Sequence, residues 1–505
     1  MNTSIEQLSI EQLNRAAALV VPEIVLLATV CVMFLVGPFL VNPSGQAVAG
    51  VRHRWGGLAL AALGTAWLIW FNNAPIGTTG GPFTADALAW FARGLSITFG
   101  GTLVLLLWNQ VDDSHAAEAH ACLLAIVAGT NLVAAANDLV GLFLALELVS
   151  IPTYVILYLV RCDRGTREAT VKYFLLSVFS SALVLYGMAW LYGATGTTNL
   201  TGIAEALSLP DRVDGDNLIR HVALALLVAG LAFRITAVPF HFYAPDVFQG
   251  VPASNAAMLS FLPKVVGFVA LVRLLPLTGA TLTTRLWLPD ESARALLAIL
   301  AVATMFVGNL MALRQKNLFR LMAYSSVAHA GYMLVGLAVG NVGVVGGTSA
   351  VLFYLAAYGL MTIGVFSLLR GAGSGEHPLE TIDDLRGLSY THPSTALLLA
   401  VCLLSLTGLP PTAGFLGKLN LFLAAWGETT AVGHWLAALL AVNAAIAAFY
   451  YLRLVAVMYL EPAADRHARP VDMPAWLGGL ACAVTTLVLF AQPQWLWDVV
   501  QRAAG

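Results

Sequence analysis

The chain has 505 residues, of which 59% are apolar and only 10% charged, with a formal net charge of −2. An ordinary soluble chain carries about 25% charged residues, so a water-soluble fold of this size is excluded, as is a nucleic-acid-binding one, since no basic patch exists for phosphate. What remains is a single integral membrane domain over 1–505, because a bilayer-spanning helix needs about 20 mostly apolar residues and the composition supplies about fourteen such stretches.

The start does not read as a signal peptide, since Glu6 and Glu11 precede the first apolar run and Arg15 is its one positive charge. In chain order, spans are predicted near 17–40, 57–72 and 88–108, making an N-terminal group within 1–116. Five follow within 117–275, near 117–136, 139–160, 171–193, 221–238 and 254–275, the first two separated by Asn137 and Asp138 alone. Five more fill 292–460, near 292–312, 318–340, 346–370, 395–425 and 431–460, and a last one covers 474–497. The fold class is thus an all-α polytopic membrane protein with about 14 helices.

Lysine and arginine mark the cytoplasmic loops. Odd-numbered loops hold fourteen of them, among them Arg52, Arg54, Arg161, Lys172, Arg320 and Arg370. Even-numbered loops and the termini hold seven: Arg15, Arg212, Arg220, Arg273, Arg285, Arg294 and Arg502. Arg466 and Arg469 also count towards the odd loops. The bias puts odd loops in the cytoplasm and both termini outside.

Two spans are interrupted, the seventh at Val238-Pro239-Phe240-His241 and the twelfth at Gly408-Leu409-Pro410-Pro411. Proline removes a backbone donor, and a broken membrane helix persists only where protein or water satisfies the freed groups. Two breaks five spans apart predict inverted five-helix repeats, helices 4–8 and 9–13, around a midplane ion path.

Charges inside spans are costly and functional by default. Glu147 is the lone ionisable residue between Asp138 and Arg161 and needs a basic partner; Arg234, just before the first break, is the obvious one. Of 25 basic residues four are lysines, and two of these, Lys264 and Lys418, fall inside spans. Lysine releases its proton when desolvated, whereas arginine does not. His241 at the first break and His329 in LMAYSSVAHAGYMLVG are candidate relays. Lys172 reads as a topology anchor; Glu23, and Asp86 with Arg93, read as structural. The cysteines, Cys31, Cys122, Cys162, Cys402 and Cys482, form no CxxC pair and read as packing. No nucleotide loop, HExxH or GxSxG occurs, so any coupled catalysis belongs to a partner.

Several stretches resemble the N subunit of proton-pumping NADH–quinone oxidoreductase, respiratory complex I: FLALELVSIPTYVIL (143–157), VKYFLLSVFSSALVLYG (171–187), PFHFYAPDVFQGVP (239–252), FLPKVVGFVALVR (261–273), LRQKNLFRLMAYSSVAHAGYMLVG (313–336) and SLTGLPPTAGFLGKLNLF (405–422). The resemblance runs from Glu23 to beyond Tyr459. It implies fourteen helices with two inverted repeats, and a proton channel in a membrane arm driven by quinone reduction elsewhere. Glu147, Lys264 and Lys418 then resemble the family's carboxylate on the fifth helix and lysines on the eighth and twelfth. The family's seventh-helix lysine is here Arg234, which keeps the charge but cannot easily deprotonate. The resemblance implies partners carrying FMN and iron–sulfur clusters, other membrane-arm subunits alongside and quinone only indirectly; the cysteine pattern predicts no cofactor or metal in this chain, and the Arg-rich, Ala-rich composition predicts a bacterial plasma membrane. Two alternatives share the fold: a subunit of a multisubunit cation/proton antiporter or membrane-bound hydrogenase, and a scaffold that no longer pumps.

Overall fold

The computed structural model describes residues 14, 16–41, 50–73, 77–161, 163–207, 216–278, 291–341, 345–373, 378–462 and 470–504. Glu6, Glu11, Arg15, Cys162, Arg212, Arg285, Arg466 and Arg469 lie outside the described residues. Within them the protein is a helix bundle carrying one antiparallel hairpin, β1 (Thr78–Gly80) and β2 (Phe83–Ala85).

The helices run α1 (Val21–Val36), α2 (Val51–Asn72), α3 (Ala87–Leu107), α4 (Ala116–Ala135), α5 (Leu139–Leu159) and α6 (Arg164–Thr195). Then come α7 (Leu200–Leu207), α8 (Asp216–Arg234), α9 (Ala244–Gly250), α10 (Ala253–Leu274), α11 (Glu291–Leu313), α12 (Leu318–Val339) and α13 (Gly347–Ala372). After a connecting segment the chain continues through α14 (Pro393–Thr407), α15 (Ala413–Trp426), α16 (Ala431–Leu460), α17 (Met473–Ala491) and α18 (Gln494–Ala503). Among the described residues twelve helices are long and apolar enough to cross a membrane. The segments expected to be interrupted are the pairs α8–α9 and α14–α15.

Short polar side chains set several helix starts. Asp86, Asp138, Asp163 and Asn317 accept from backbone N–H groups at the first turns of α3, α5, α6 and α12, satisfying donors that have no helical partner. At Asp163 burial works against ionisation, but the Thr166 N–H and hydroxyl and Arg161 outweigh it and hold the carboxyl below its ordinary range.

The boundaries differ from expectation in places where polarity hid a helix. The second span begins at Val51, not 57, because Asp113 accepts from Gly50 N and Arg52 N and anchors the charged first turn. The sixth begins at Arg164, not 171. At 32 residues α6 is about 48 Å long, well beyond a hydrocarbon core of about 30 Å, so its polar first turns project into water. The expected last span, 474–497, is two helices: α17 stops at Ala491, because Pro493 disfavours a helical Gln492, and α18 starts beyond it. The seventh span stops at Arg234 rather than after Ala237.

Helices α4, α10, α12 and α13 are buried almost all round, whereas α1, α2, α5, α6, α16 and α17 turn apolar stripes outward. A helix apolar on every side belongs inside the bundle. Close packing there uses small residues. A Cβ on Gly308 of α11 would lie 2.8 Å from Tyr324 O, and one on Gly331 of α12 would lie 2.7 Å from Met305 N.

Two ion pairs fix the N-terminal helices, one within that group and one to α10, and they re-sort the expected grouping. Arg93 meets Glu23 at 2.7 Å, not Asp86. Asp86 instead takes Arg273 at 2.5 and 2.7 Å. The reason is position: Asp86 caps the end of α3, while Arg93 lies two turns, about 10 Å, deeper. Burial raises the Asp86 carboxyl, but Arg273 and the Ala89 N–H outweigh it and hold it low.

Glu23 is 1% exposed and Arg93 7%. Removing one member of a buried pair strands the other, at roughly 3–5 kcal/mol. Glu23→Ala is therefore expected to lower the thermal midpoint of the purified protein, with most of the loss recovered in Glu23→Leu/Arg93→Met. An unchanged midpoint in the single variant would contradict this role.

Candidate functional site

The candidate residues come from five elements that converge on the bundle interior. Glu147 lies midway along α5 and is partly accessible, with a side-chain exposure of 25%. Its Oε1 accepts a 2.5 Å hydrogen bond from Ser181 Oγ of α6. Arg234, the last residue of α8, brings Nη2 to 3.5 Å from both Glu147 Oε1 and Ser181 Oγ. Its Nε is buried without a hydrogen-bond partner. The expected Glu–Arg pair is therefore present but loose, with the serine hydroxyl held closer to the carboxylate than the guanidinium is.

The first break brings the two residues after Arg234 to Lys264. Beyond α8, Thr236 adopts φ 59°, a left-handed conformation rare for a β-branched residue. Such strain persists only where surroundings over-determine it. Here it aims Thr236 Oγ1 and Ile235 O at Lys264 Nζ of α10, at 2.8 and 2.9 Å. Ser326 O of α12 completes the set at 2.8 Å. Three acceptors match the three donors of an ammonium. Proline at 263 is tolerated inside α10, and the lysine itself is fully buried.

From Ser326 the polar groups continue one turn along α12 to His329, which is fully buried. His329 Nδ1 lies 2.5 Å from Tyr354 Oη of α13, and Nε2 lies 3.0 Å from Tyr451 Oη of α16. Tyr451 in turn bonds Ser325. Tyr332 stands edge-on to the imidazole at 5.5 Å between ring centroids. Asn309 links Tyr332, Tyr450 and Asn443 at 3.0–3.2 Å.

Lys418 lies at the far side of Tyr332, with Nζ 5.1 Å from that ring's centroid, a cation–π distance. The second break supplies its acceptors, Leu406 O and Thr407 O, both at 2.8 Å. These carbonyls are free because Gly408, at φ +86°, ends α14 in a left-handed turn. Glycine is needed there for space too, since a Cβ would stand 2.8 Å from Lys418 Cδ. Two acceptors are as many as a neutral amine can use, so Lys418 can lose a proton without breaking either bond. Lys264, with three, cannot.

Five of the six expected residues thus fall along one row: Glu147, Arg234, Lys264, His329 and Lys418. His241 does not join it. It is half-buried beyond the first break, and its Nδ1 is buried without a partner. Lys172 also stays apart, on the ion cluster Glu168, Asp246 and Arg320. Sequence reasoning missed the uncharged members: Ser181, Thr236, Tyr354, Tyr451, Asn309 and Asn443. The available signal was an amide or hydroxyl inside an apolar run, which needs a partner when buried; Asn309 in MFVGNLMAL and Asn443 in LLAVNAAIAA are the plainest cases.

All six candidates lie within residues 136–447, which match the family model described as NADH:quinone oxidoreductase/Mrp antiporter, TM. NADH-quinone oxidoreductase subunit N of Trichlorobacter lovleyi is 36% identical over 497 residues, covering 96% of both chains. The chain belongs to the NADH-quinone oxidoreductase subunit N family. A chain of respiratory complex I from Thermus thermophilus with bound aureothin superposes with a TM-score of 0.78 at 30% identity, covering 96% of this chain and 100% of that one. A chain of the Mrp complex from Dietzia sp. gives 0.77 at 21% identity over 95% and 97%, a likeness of fold alone. The subunit N resemblance carried by the sequence motifs thus extends over nearly the whole chain. Among the described residues no group of three or more His, Cys, Asp or Glu could hold a metal ion.

Proposed function

We propose that this chain is a proton-translocating membrane-arm subunit of an NADH–quinone oxidoreductase. The observation that carries the reading is the polar row that starts at the partly accessible Glu147 and runs buried through Arg234, Lys264 and His329 to Lys418, bridged by hydroxyls, rings and break carbonyls. Protonation at one site raises the cost of charge at the next. Each charge moved across the membrane works against about 2.3 kcal/mol per 100 mV, and the Glu147–Arg234 pair at 3.5 Å interacts by about 5 kcal/mol at an effective dielectric of about 20. Displacing one charge in the row therefore supplies enough energy to load or unload its neighbour. His329 relays between the lysines, Lys418 releases towards the outer side, and His241 is a further relay off the main row.

The redox chemistry belongs to partner subunits bearing FMN and iron–sulfur clusters, with no redox centre in this chain and quinone met only indirectly. Its neighbours are other membrane-arm subunits. The basic-loop bias supports both termini on the periplasmic side of a bacterial plasma membrane, and the paired breaks support repeats over 117–275 and 292–460. The Mrp-like fold keeps a cation/proton antiporter subunit as the second reading.

The test has two parts. Affinity purification through a C-terminal tag, in mild detergent, is expected to bring down an assembly that reduces quinone from NADH. In vesicles holding that assembly, Lys418→Met is expected to reduce protons pumped per electron. A smaller set of membrane subunits without redox centres would move the chain to the antiporter class, and undiminished pumping in Lys418→Met would end the proton-row reading.

A further inference from the structure

A polar cavity of about 390 Å³ opens at the end of the bundle that carries the cytoplasmic arginines, lined by Gln110, Arg161, Ala253, Phe319, Leu369 and Arg370 among others. It reaches the first residue of α10 and the last turn of α13. Lys264 lies eleven residues further along α10, about 16 Å deeper. Tyr358 lies eleven residues back along α13 from Leu369, at the same depth, with its ring centroid 5.8 Å from Lys264 Nζ.

One face of α13 joins the two levels through Leu369, Phe366, Thr362 and Tyr358, at helical spacings of three and four. The inner part of this face is polar and incompletely satisfied. Tyr358 Oη, Thr362 Oγ1 and Ser326 Oγ are all buried and face one another, yet none makes a hydrogen bond of full geometry, which leaves each with capacity for water. The outer part is closed by rings. Phe366 is fully buried and packs on Phe319 of α12 at 5.6 Å and on Phe248 of α9 at 6.3 Å between centroids. Phe319 lines the cavity, and Phe366 lies on α13 between Leu369 at the cavity and Thr362 of the polar pocket, with Phe248 packed on it. Hydrophobic constrictions of this kind gate by excluding water.

Two of the ring-bearing segments are tied together from outside. Asp246, two residues before Phe248, bonds Arg320 Nη1 at 2.7 Å, and Arg320 adjoins Phe319. Asp246 also bonds Lys172 Nζ of α6 at 2.9 Å. Asp246 thus ties the segments of Phe248 and Phe319 to each other and to α6.

We propose that Phe248, Phe319 and Phe366 form a hydrophobic gate on the proton-uptake route from this cavity to Lys264, with Asp246 as the positioning residue that holds it shut. This rests on the reading of Lys264 as a proton carrier. Uptake then runs along α13 and α10 through Thr362 and Tyr358, not through His241.

The experiment uses vesicles holding the intact complex, with a pH gradient imposed in the absence of NADH. Phe366→Ala is expected to raise passive proton leak several-fold, and Asp246→Asn to raise it less. Adding Lys264→Met to Phe366→Ala should return the leak to the parent level. Thr362→Val, nearly isosteric, should slow pumping in the otherwise intact protein without any leak. Phe248→Leu and Phe366→Leu, which disturb packing less, cover the case in which the alanine variant fails to assemble, with assembly scored by co-purified subunits.

A parent-level leak in the assembled phenylalanine variants, or a leak untouched by Lys264→Met, overturns the gate. If Lys264→Met by itself leaves protons per electron unchanged, the underlying reading fails instead. The two failures are separable, because the leak assay needs no turnover.

Discussion

Lys264→Met is expected to stop proton transfer through this subunit and to lower the protons pumped per electron, with NADH oxidation by the assembled enzyme continuing. Methionine keeps most of the length and apolar contact of the lysine stem, so the volume between α8, α10 and α12 stays filled. What disappears is the charge and three hydrogen bonds, to Ile235 O, Thr236 Oγ1 and Ser326 O. A buried carbonyl left unpaired costs about 1–3 kcal/mol, offset in part by removing a charge that was itself expensive to bury. Fold and assembly therefore survive, and the row is cut at its midpoint between Arg234 and His329. Lys264→Arg separates charge from proton exchange, because a guanidinium keeps the positive charge but does not deprotonate at neutral pH. It too should lose pumping. Proton uptake and quinone reduction measured together in vesicles decide the matter: unaltered stoichiometry in both variants removes Lys264 from the path.

The second large effect is expected at the Glu147–Arg234 pair. Glu147→Gln preserves an acceptor for Ser181 but removes the one negative charge of the row, and pumping per electron should fall strongly. At 3.5 Å and an effective dielectric of about 20, the pair attracts by about 5 kcal/mol; doubling the separation costs about 2 kcal/mol, which closing the pair returns. That change matches the work of moving one charge through about 100 mV. A pair this loose, with Ser181 bridging and Arg234 Nε unpaired, has room to open and close. Arg234 then acts by its field and never by releasing a proton, so Arg234→Lys should leave pumping as it is. A gain of proton transfer in Arg234→Lys would instead mark the parent channel as silent, which is the scaffold reading. Unchanged pumping in Glu147→Gln would exclude the pair from coupling altogether.

Much of this protein was legible before any coordinates. Membrane residence follows from charge content, and the spans follow from apolar runs, because a bilayer imposes one length scale on every crossing helix. Both breaks were readable from Pro239, Gly408, Pro410 and Pro411, since proline and glycine act locally. Glu147, Arg234, Lys264 and Lys418 stood out because isolated charges in apolar runs are rare for energetic reasons. The helix ends at Val51 and Arg164 were not readable, because the residues that start those helices are polar and their caps, Asp113 and Asp163, stabilise them by contacts that hydropathy does not register.

By itself, then, the sequence determined the membrane class, the breaks and the short set of charges that need partners. The tertiary structure decided who the partners are. Arg93 goes to Glu23 and Asp86 to Arg273 across 70 and 187 residues of chain. His329 joins the row through Tyr354 and Tyr451, while His241 stays outside it. Their local sequences differ, His241 standing at a proline-marked break and His329 inside an apolar span, but neither sequence names the groups its imidazole meets. Hydrogen bonds are directional and short, so which polar groups meet inside the bundle depends on how helices distant in sequence are rotated and packed, and no property of one segment contains that information.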